Sequence, residues 1–207
     1  MIAPVDHATR SARSDIPVKS VGEGRAFGGI VLAAFLLYGI GSAIADQPFG
    51  LALVVLNSIA VAGAGLIGLR LVRATDRSIG VAYLAARVAE AALLLGGILT
   101  AKFSNVTDAD TAGYLLGMIA LAVGSIPFCL TLGHRRWIPR PLAMWGIYGY
   151  GALALGALLE LTTGHSLTVI FAVPGGLFEL ALGLYLVRFG FRHPSSRSLP
   201  NTKEVTK

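Results

Sequence analysis

The chain has 207 residues, of which 55% are hydrophobic and 14% charged, with a formal net charge of +6. That balance lies outside the range of ordinary soluble domains, and the single cysteine, Cys129, excludes a disulfide framework. The excess base sits in the tails and in the breaks between apolar runs, where it reads as a topology signal rather than as a nucleic-acid surface.

Residues 1–25 are polar, rich in Ser, Arg and Gly, and without periodicity, as expected of a disordered cytoplasmic tail. Six apolar runs follow: 27–45, 49–69, 79–99, 111–132, 142–161 and 167–189. Each is about the 20 residues a helix needs to cross a bilayer. The alternation of outer-membrane barrels, in segments of about ten residues, is absent. The expected fold is therefore all-α, a polytopic bundle of six transmembrane helices over residues 26–192. Residues 193–207 are again polar and read as a second disordered tail.

Basic residues orient this bundle. Arg10, Arg13, Lys19 and Arg25, then Arg70, Arg73 and Arg77, then Arg135, Arg136 and Arg140, and finally the basic residues from Arg188 onward all fall on one side of a six-span arrangement. The other side holds Lys102 among Asp46, Asp108, Asp110, Glu160 and His165. The positive-inside rule then places both termini in the cytoplasm of a cell bounded by an inner membrane. "GSAIADQ" offers a second reading of the first run, since Ala43 and Ala45 have the small-x-small spacing of a signal-peptidase site. Cleavage there would remove the first span and leave the orientation of the others unchanged.

Trp137 and Trp145 fall near the cytoplasmic edge, where indole rings serve as interfacial anchors, although core packing fits them equally well. Ala60, Ala64 and Gly68 recur every fourth residue, as do Gly113 and Gly117, and such spacing lets helices approach closely. Gly24 and Gly28 share the spacing but straddle the membrane edge, which argues against their use. Pro127 and Pro174 predict kinks in the fourth and sixth helices, and "VPGGLFE" is the expected place for a bent or broken span.

The chemistry lies in the charges within the runs. At about 1.5 Å per residue, Arg87 lies about 12 Å from the cytoplasmic edge, Glu90 about 16 Å, Glu179 about 12 Å and Asn57 about 18 Å. Four polar side chains from three helices thus share one slab of the hydrocarbon layer. Three isolated charges there would cost about 8–10 kcal/mol, so pairing is expected. Matched depth favours Arg87 with Glu179, leaving Glu90 as the surplus carboxylate. Two readings follow. The cluster fixes which helices pack together in a structural or partner-binding protein, or a mid-membrane carboxylate serves a small transporter as a proton or cation site. A glutamate near mid-membrane in the third and sixth runs also suggests an inverted repeat of two three-span halves.

Enzyme signals are weak. His7, His134, His165 and His193 lie in tails or breaks, and neither H-E-x-x-H nor G-x-S-x-G occurs, so no catalytic residue, metal site or cofactor is assigned. Expected partners are the bilayer and a membrane protein or a second copy; nucleic acid is not expected. The basic run His134–Arg136 reads first as a topology signal, with contact to anionic lipid headgroups as the alternative. "YLAARVAEAALLL" (Tyr83–Leu95), "PGGLFELALGLYLVRFGF" (Pro174–Phe191) and "HRRWIPRPLAMWGIYGY" (His134–Tyr150) resemble a bacterial family of six-span membrane proteins of unknown function. The likeness spans about residues 25–192. It implies a multi-pass inner-membrane protein and brings no reaction or ligand.

Overall fold

A hydrocarbon layer offers backbone amides no partner, so each apolar run satisfies its own N–H and C=O groups as a helix. The computed structural model describes residues 19–104, 106 and 108–191. It contains α1 (Lys19–Ala43), α2 (Pro48–Val72), α3 (Arg77–Ser104), α4 (Ala109–His134), α5 (Arg140–Thr163) and α6 (Thr168–Phe189), with no strand among the described residues. All six are long and apolar enough to cross a membrane.

The helices pack as a closed ring in chain order: each touches the next, and α6 returns to α1. The ring is possible because its tightest seams lack side chains. Gly97 on α3 faces Gly113 on α4, Gly149 on α5 faces Gly175 on α6, and Gly28 on α1 faces Gly183 on α6. Gly24 packs against Phe191 in the same α1–α6 seam. The pair Gly24 and Gly28, set aside on sequence because of its position, is therefore a packing element. The first helix also begins at Lys19, inside the segment read as tail, because its first turns pack on the end of α6: Val21 lies against Gly190. Residues 1–18 and 192–207, which carry the rest of both expected tails, lie outside the described residues.

Helices α4 and α6 are continuous through Pro127 and Pro174, so of the bent or broken span expected at "VPGGLFE" the break does not occur. Neighbouring helices hold that stretch of α6 instead. Gly149 packs on Gly175, and Trp145 Nε1 donates to the Pro174 carbonyl at 3.1 Å.

Short connections close the ring. Asp76 Oδ1 accepts from the Ser78 hydroxyl at 2.6 Å and from the backbone N–H of Ser78 and Ile79, an N-cap for α3. These bonds, the Ser78 hydroxyl first, hold the Asp76 carboxyl below its ordinary range. Gly164, at φ 71°, ends α5 in the left-handed conformation that suits glycine, and Glu160 Oε2 accepts the Thr168 N–H at the start of α6. At the opposite end, Arg136 takes φ 58° in the turn after α4, a place glycine more often fills.

An even number of helices brings the start of α1 and the end of α6 to one face. There the described arginines outside α3's interior, from Arg25 to Arg188, are all exposed. The other face carries Asp46, Asp108, Asp110 and Glu160. Lys102, the exception to this asymmetry, donates to the carbonyls of Ala45 and Asp46 at 3.0 and 2.9 Å. It ties the end of α1 to the end of α3, where a cation complements the helix dipole.

Aromatic rings seal the basic end of the ring. Phe27 meets Tyr83, Phe128 and Phe191 at centroid distances of 6.4, 6.1 and 6.1 Å. Tyr83 stacks on Phe128 at 4.0 Å, and Trp137 packs edge-on against Phe191. Trp137 is thus part of this plug.

Candidate functional site

Above the aromatic plug, the ring encloses a cavity of about 460 Å³. All six helices contribute to its wall, and Asn57, Arg87, Glu90 and Glu179 all line it. The depth arithmetic on four separate residues therefore converges on one place.

Helix α3 supplies the cation. Arg87 and Glu90 are three residues apart on one face of the helix, and Tyr83 is four residues before Arg87 on the same face. Arg87 Nη1 donates to Glu90 Oε2 at 2.7 Å, and Nε donates to the Tyr83 hydroxyl at 3.1 Å. The guanidinium also lies 5.6 Å from the Tyr83 ring centroid, within cation–π range. Its Nη2 is 3.7 Å from Glu179 Oε1 on α6. That separation is an ion pair but too long for a hydrogen bond.

The expected Arg87–Glu179 ion pair is thus present, but the short hydrogen bond goes to Glu90, which is not the surplus carboxylate that matched depth suggests. Glu90 is covalently placed one turn away. Glu179 is drawn instead to α5, where the Tyr150 hydroxyl donates to its Oε1 at 2.9 Å. Glu179 is also the more accessible acid: its side chain is 18% exposed, against 6% for Glu90. The other oxygen of each glutamate has no hydrogen-bond partner among the described residues.

Asn57 on α2 is 1% exposed, and its Nδ2 has no partner. A buried, unpaired amide N–H is costly unless a ligand or water meets it. Next to it, the Ser58 hydroxyl bonds back to Val54 and reaches the Ala91 carbonyl on α3 at 3.4 Å, which holds this part of α2 against α3.

Tyr83 and Tyr150 are hydrogen-bonding neighbours of the cluster that sequence reasoning passed over. The signal was present for both. Tyr83 is one turn from Arg87, and Tyr150 lies about 15 Å into α5, in the same slab as the charges. Tyr38 and Tyr114 line the cavity farther from the plug, stacked with centroids 6.3 Å apart. A second void of about 10 Å³ lies on the plug side of Arg87, bordered by Ser125, whose hydroxyl is also unpaired. Cys129 borders it too and is buried. Among the described residues, no three His, Cys, Asp or Glu side chains converge as metal ligands would.

The mouth of the main cavity has a clear location. Its exposed lining residues belong to α1 and α6 alone: Phe35 and Gly39 on one side, Val169, Val173 and Leu177 on the other. The residues from α2 to α5 are all partly or wholly buried. The exposed part of the lining thus lies along the α1–α6 seam, in the half away from the plug.

Comparison with known proteins adds one finding. Residues 99–190, from the end of α3 through α6, match the model of a domain of unknown function, DUF4386. No curated protein and no solved structure matches. The chain is a multi-pass integral membrane protein. The match fits a six-helix family of unknown function; it includes Tyr150 and Glu179 and stops short of Asn57, Arg87 and Glu90.

Proposed function

We propose that this protein binds a small molecule inside the bilayer, with the Arg87–Glu90–Glu179 cluster as the polar end of the site. The supporting observation is the cavity of about 460 Å³ that all of these side chains line. This volume is in the range of small-ligand sites, and its wall combines apolar surface with a few convergent polar groups. Ion pairs that only specify helix order need no such space beside them. The cluster holds two acids and one base, so a ligand or transported species bearing positive charge or a hydrogen-bond donor suits it best. A carrier or a binding component of a larger membrane assembly would both use it in this way. The concentration of arginine at the end bearing the termini supports an inner-membrane location with both termini in the cytoplasm.

Thiol accessibility tests the reading. In a Cys129→Ala background, which removes the one native thiol, Glu179→Cys is expected to react with a small methanethiosulfonate amine in the folded, membrane-embedded protein. Leu132→Cys, which is buried and does not line the cavity, should stay unreactive under the same conditions. If Cys at 179 is as inert as Cys at 132, the cluster is dry packing and the binding reading fails.

A further inference from the structure

The position of the mouth and the chemistry of the far wall together narrow the ligand. This narrowing rests on the binding function proposed above.

Helices α1 and α6 are locked together at the basic end. Gly28 meets Gly183 and Gly24 meets Phe191 near the plug, while the cavity's exposed lining lies farther along the same two helices. Phe35 stands at this opening, its ring 3.4 Å from where a Cβ at Gly176 would be. The mouth residues are apolar: Phe35, Val169, Val173 and Leu177 are each more than 40% exposed along helices that face lipid. Such an entrance admits acyl chains and offers a hydrated ion nothing in place of its water.

The deep wall asks for something different. Arg87 donates from Nη1 to Glu90 and from Nε to Tyr83, and its single positive charge is outweighed by the two carboxylates beside it, so the cluster as a whole favours a cation over an anion. Glu179 keeps one carboxylate oxygen without a hydrogen-bond donor, and its nearest cation is 3.7 Å away. A positively charged N–H donor is its natural complement, since charge-assisted bonds are the stronger class. Asn57 presents the opposite need. Its Nδ2 is closed off from the cavity and lacks an acceptor, so turning the amide toward an oxygen on the same ligand head would satisfy it.

We infer that the cavity takes a single-chain cationic amphiphile, a long-chain amine carrying an oxygen acceptor beside the nitrogen, which enters sideways from the bilayer between α1 and α6. Its ammonium pairs with Glu179, its oxygen accepts from Asn57, and its tail lies along the Phe35–Val173 mouth. Single-chain amino alcohols, whether made as such or released from lipid, share this chemistry.

Photolabelling in phosphatidylcholine proteoliposomes tests both parts. The probe is a twelve-carbon 2-amino-1-alkanol with a diazirine in its tail, and labelled peptides are read by mass spectrometry. Saturable labelling of α1 and α6 is expected, competed by the unlabelled amino alcohol and not by lauric acid or by ethanolamine, which lacks the tail. Glu179→Gln should weaken competition about tenfold or more, the scale of one lost charge-assisted bond. Asn57→Leu should bring the amino alcohol down to the level of dodecylamine, which lacks the oxygen. A Cβ at Gly176 meets only the Phe35 ring within 4 Å, so Gly176→Trp should fill the mouth and block labelling while leaving the folded protein intact.

Equal competition by lauric acid, or no effect of Glu179→Gln, overturns the cationic head. Full labelling in Gly176→Trp overturns the lateral entrance. A reactive Cys at position 179 together with either negative result would leave the site standing and reject this ligand. An inert Cys at 179 would reject both.

Discussion

Replacing Arg87 with leucine is expected to cost about 3–5 kcal/mol of stability, because it strands two carboxylates in a low-dielectric interior. The geometry makes the loss severe. Glu90 would lose its 2.7 Å partner, Glu179 its 3.7 Å counter-charge, and the Tyr83 hydroxyl its donor. Arg87→Lys should recover only part of this, since an ammonium keeps the charge but not the planar fork that reaches three partners at once. Arg87→Leu/Glu90→Leu should be more stable than Arg87→Leu alone, because removing both members of a buried pair costs less than orphaning one. Unfolding of the purified protein by SDS in mixed micelles, followed by tryptophan fluorescence, measures all three. If Arg87→Leu unfolds at the wild-type SDS fraction, the guanidinium is not buried among these groups.

The second large effect is expected at Gly28, where the ring closes. A Cβ there would lie 2.7 Å from the Gly183 carbonyl oxygen and 2.8 Å from Leu186 Cβ, so α1 must move off α6 to accept it. Gly28→Leu adds three further carbons to that clash. Overpacking of this kind typically costs about 1–3 kcal/mol, and the upper end is expected because backbone rather than a flexible side chain stands in the way. Gly29→Ala is the matched control. A Cβ at Gly29 meets nothing within 4 Å, and alanine favours the helix, so its stability should equal or slightly exceed wild type. The same SDS titration separates them. Equal stability of Gly28→Leu and Gly29→Ala would mean that α1 does not seat on α6 through this face.

How much of this was readable from the chain depends on which physical signal carries each feature. Spans are written in hydropathy, so all six helices could be located. Their ends were not, because hydropathy marks the hydrocarbon slab while the hydrogen-bond ladder continues past it. Thus α3 runs from Arg77 to Ser104, although its apolar run covers only 79–99. Depth is also legible, since a helix rises uniformly, and this is why Asn57, Arg87, Glu90 and Glu179 could be placed in one slab.

Facing is a different matter. In a soluble protein the inward face of a helix is its apolar face, but here lipid and core are both apolar, and periodicity cannot tell them apart. Val173 and Leu153 look alike in sequence, yet one rims the mouth at 54% exposure and the other is buried in the cavity wall. Ring order and the cavity itself were hidden for the same reason. The choice of Glu90 over Glu179 as the closer partner turned on Tyr150, a neutral residue that charge arithmetic does not count. The close packing at Gly24 and Gly28 was discounted because they lie at the membrane edge, yet α6 ends at that same level and gives them a surface to meet.

The central claim is that ionised side chains from different helices meet one another beside the cavity, and a double-mutant cycle between Arg87 and Glu179 tests it most directly. Arg87→Leu, Glu179→Leu and the double variant would be unfolded by SDS in the same micelles. A coupling energy of about 0.5–3 kcal/mol, with the double variant destabilised by less than the sum of the singles, is the expected result. Strict additivity, within about 0.3 kcal/mol, would mean that α3 and α6 do not share this charge pair and would contradict the arrangement described.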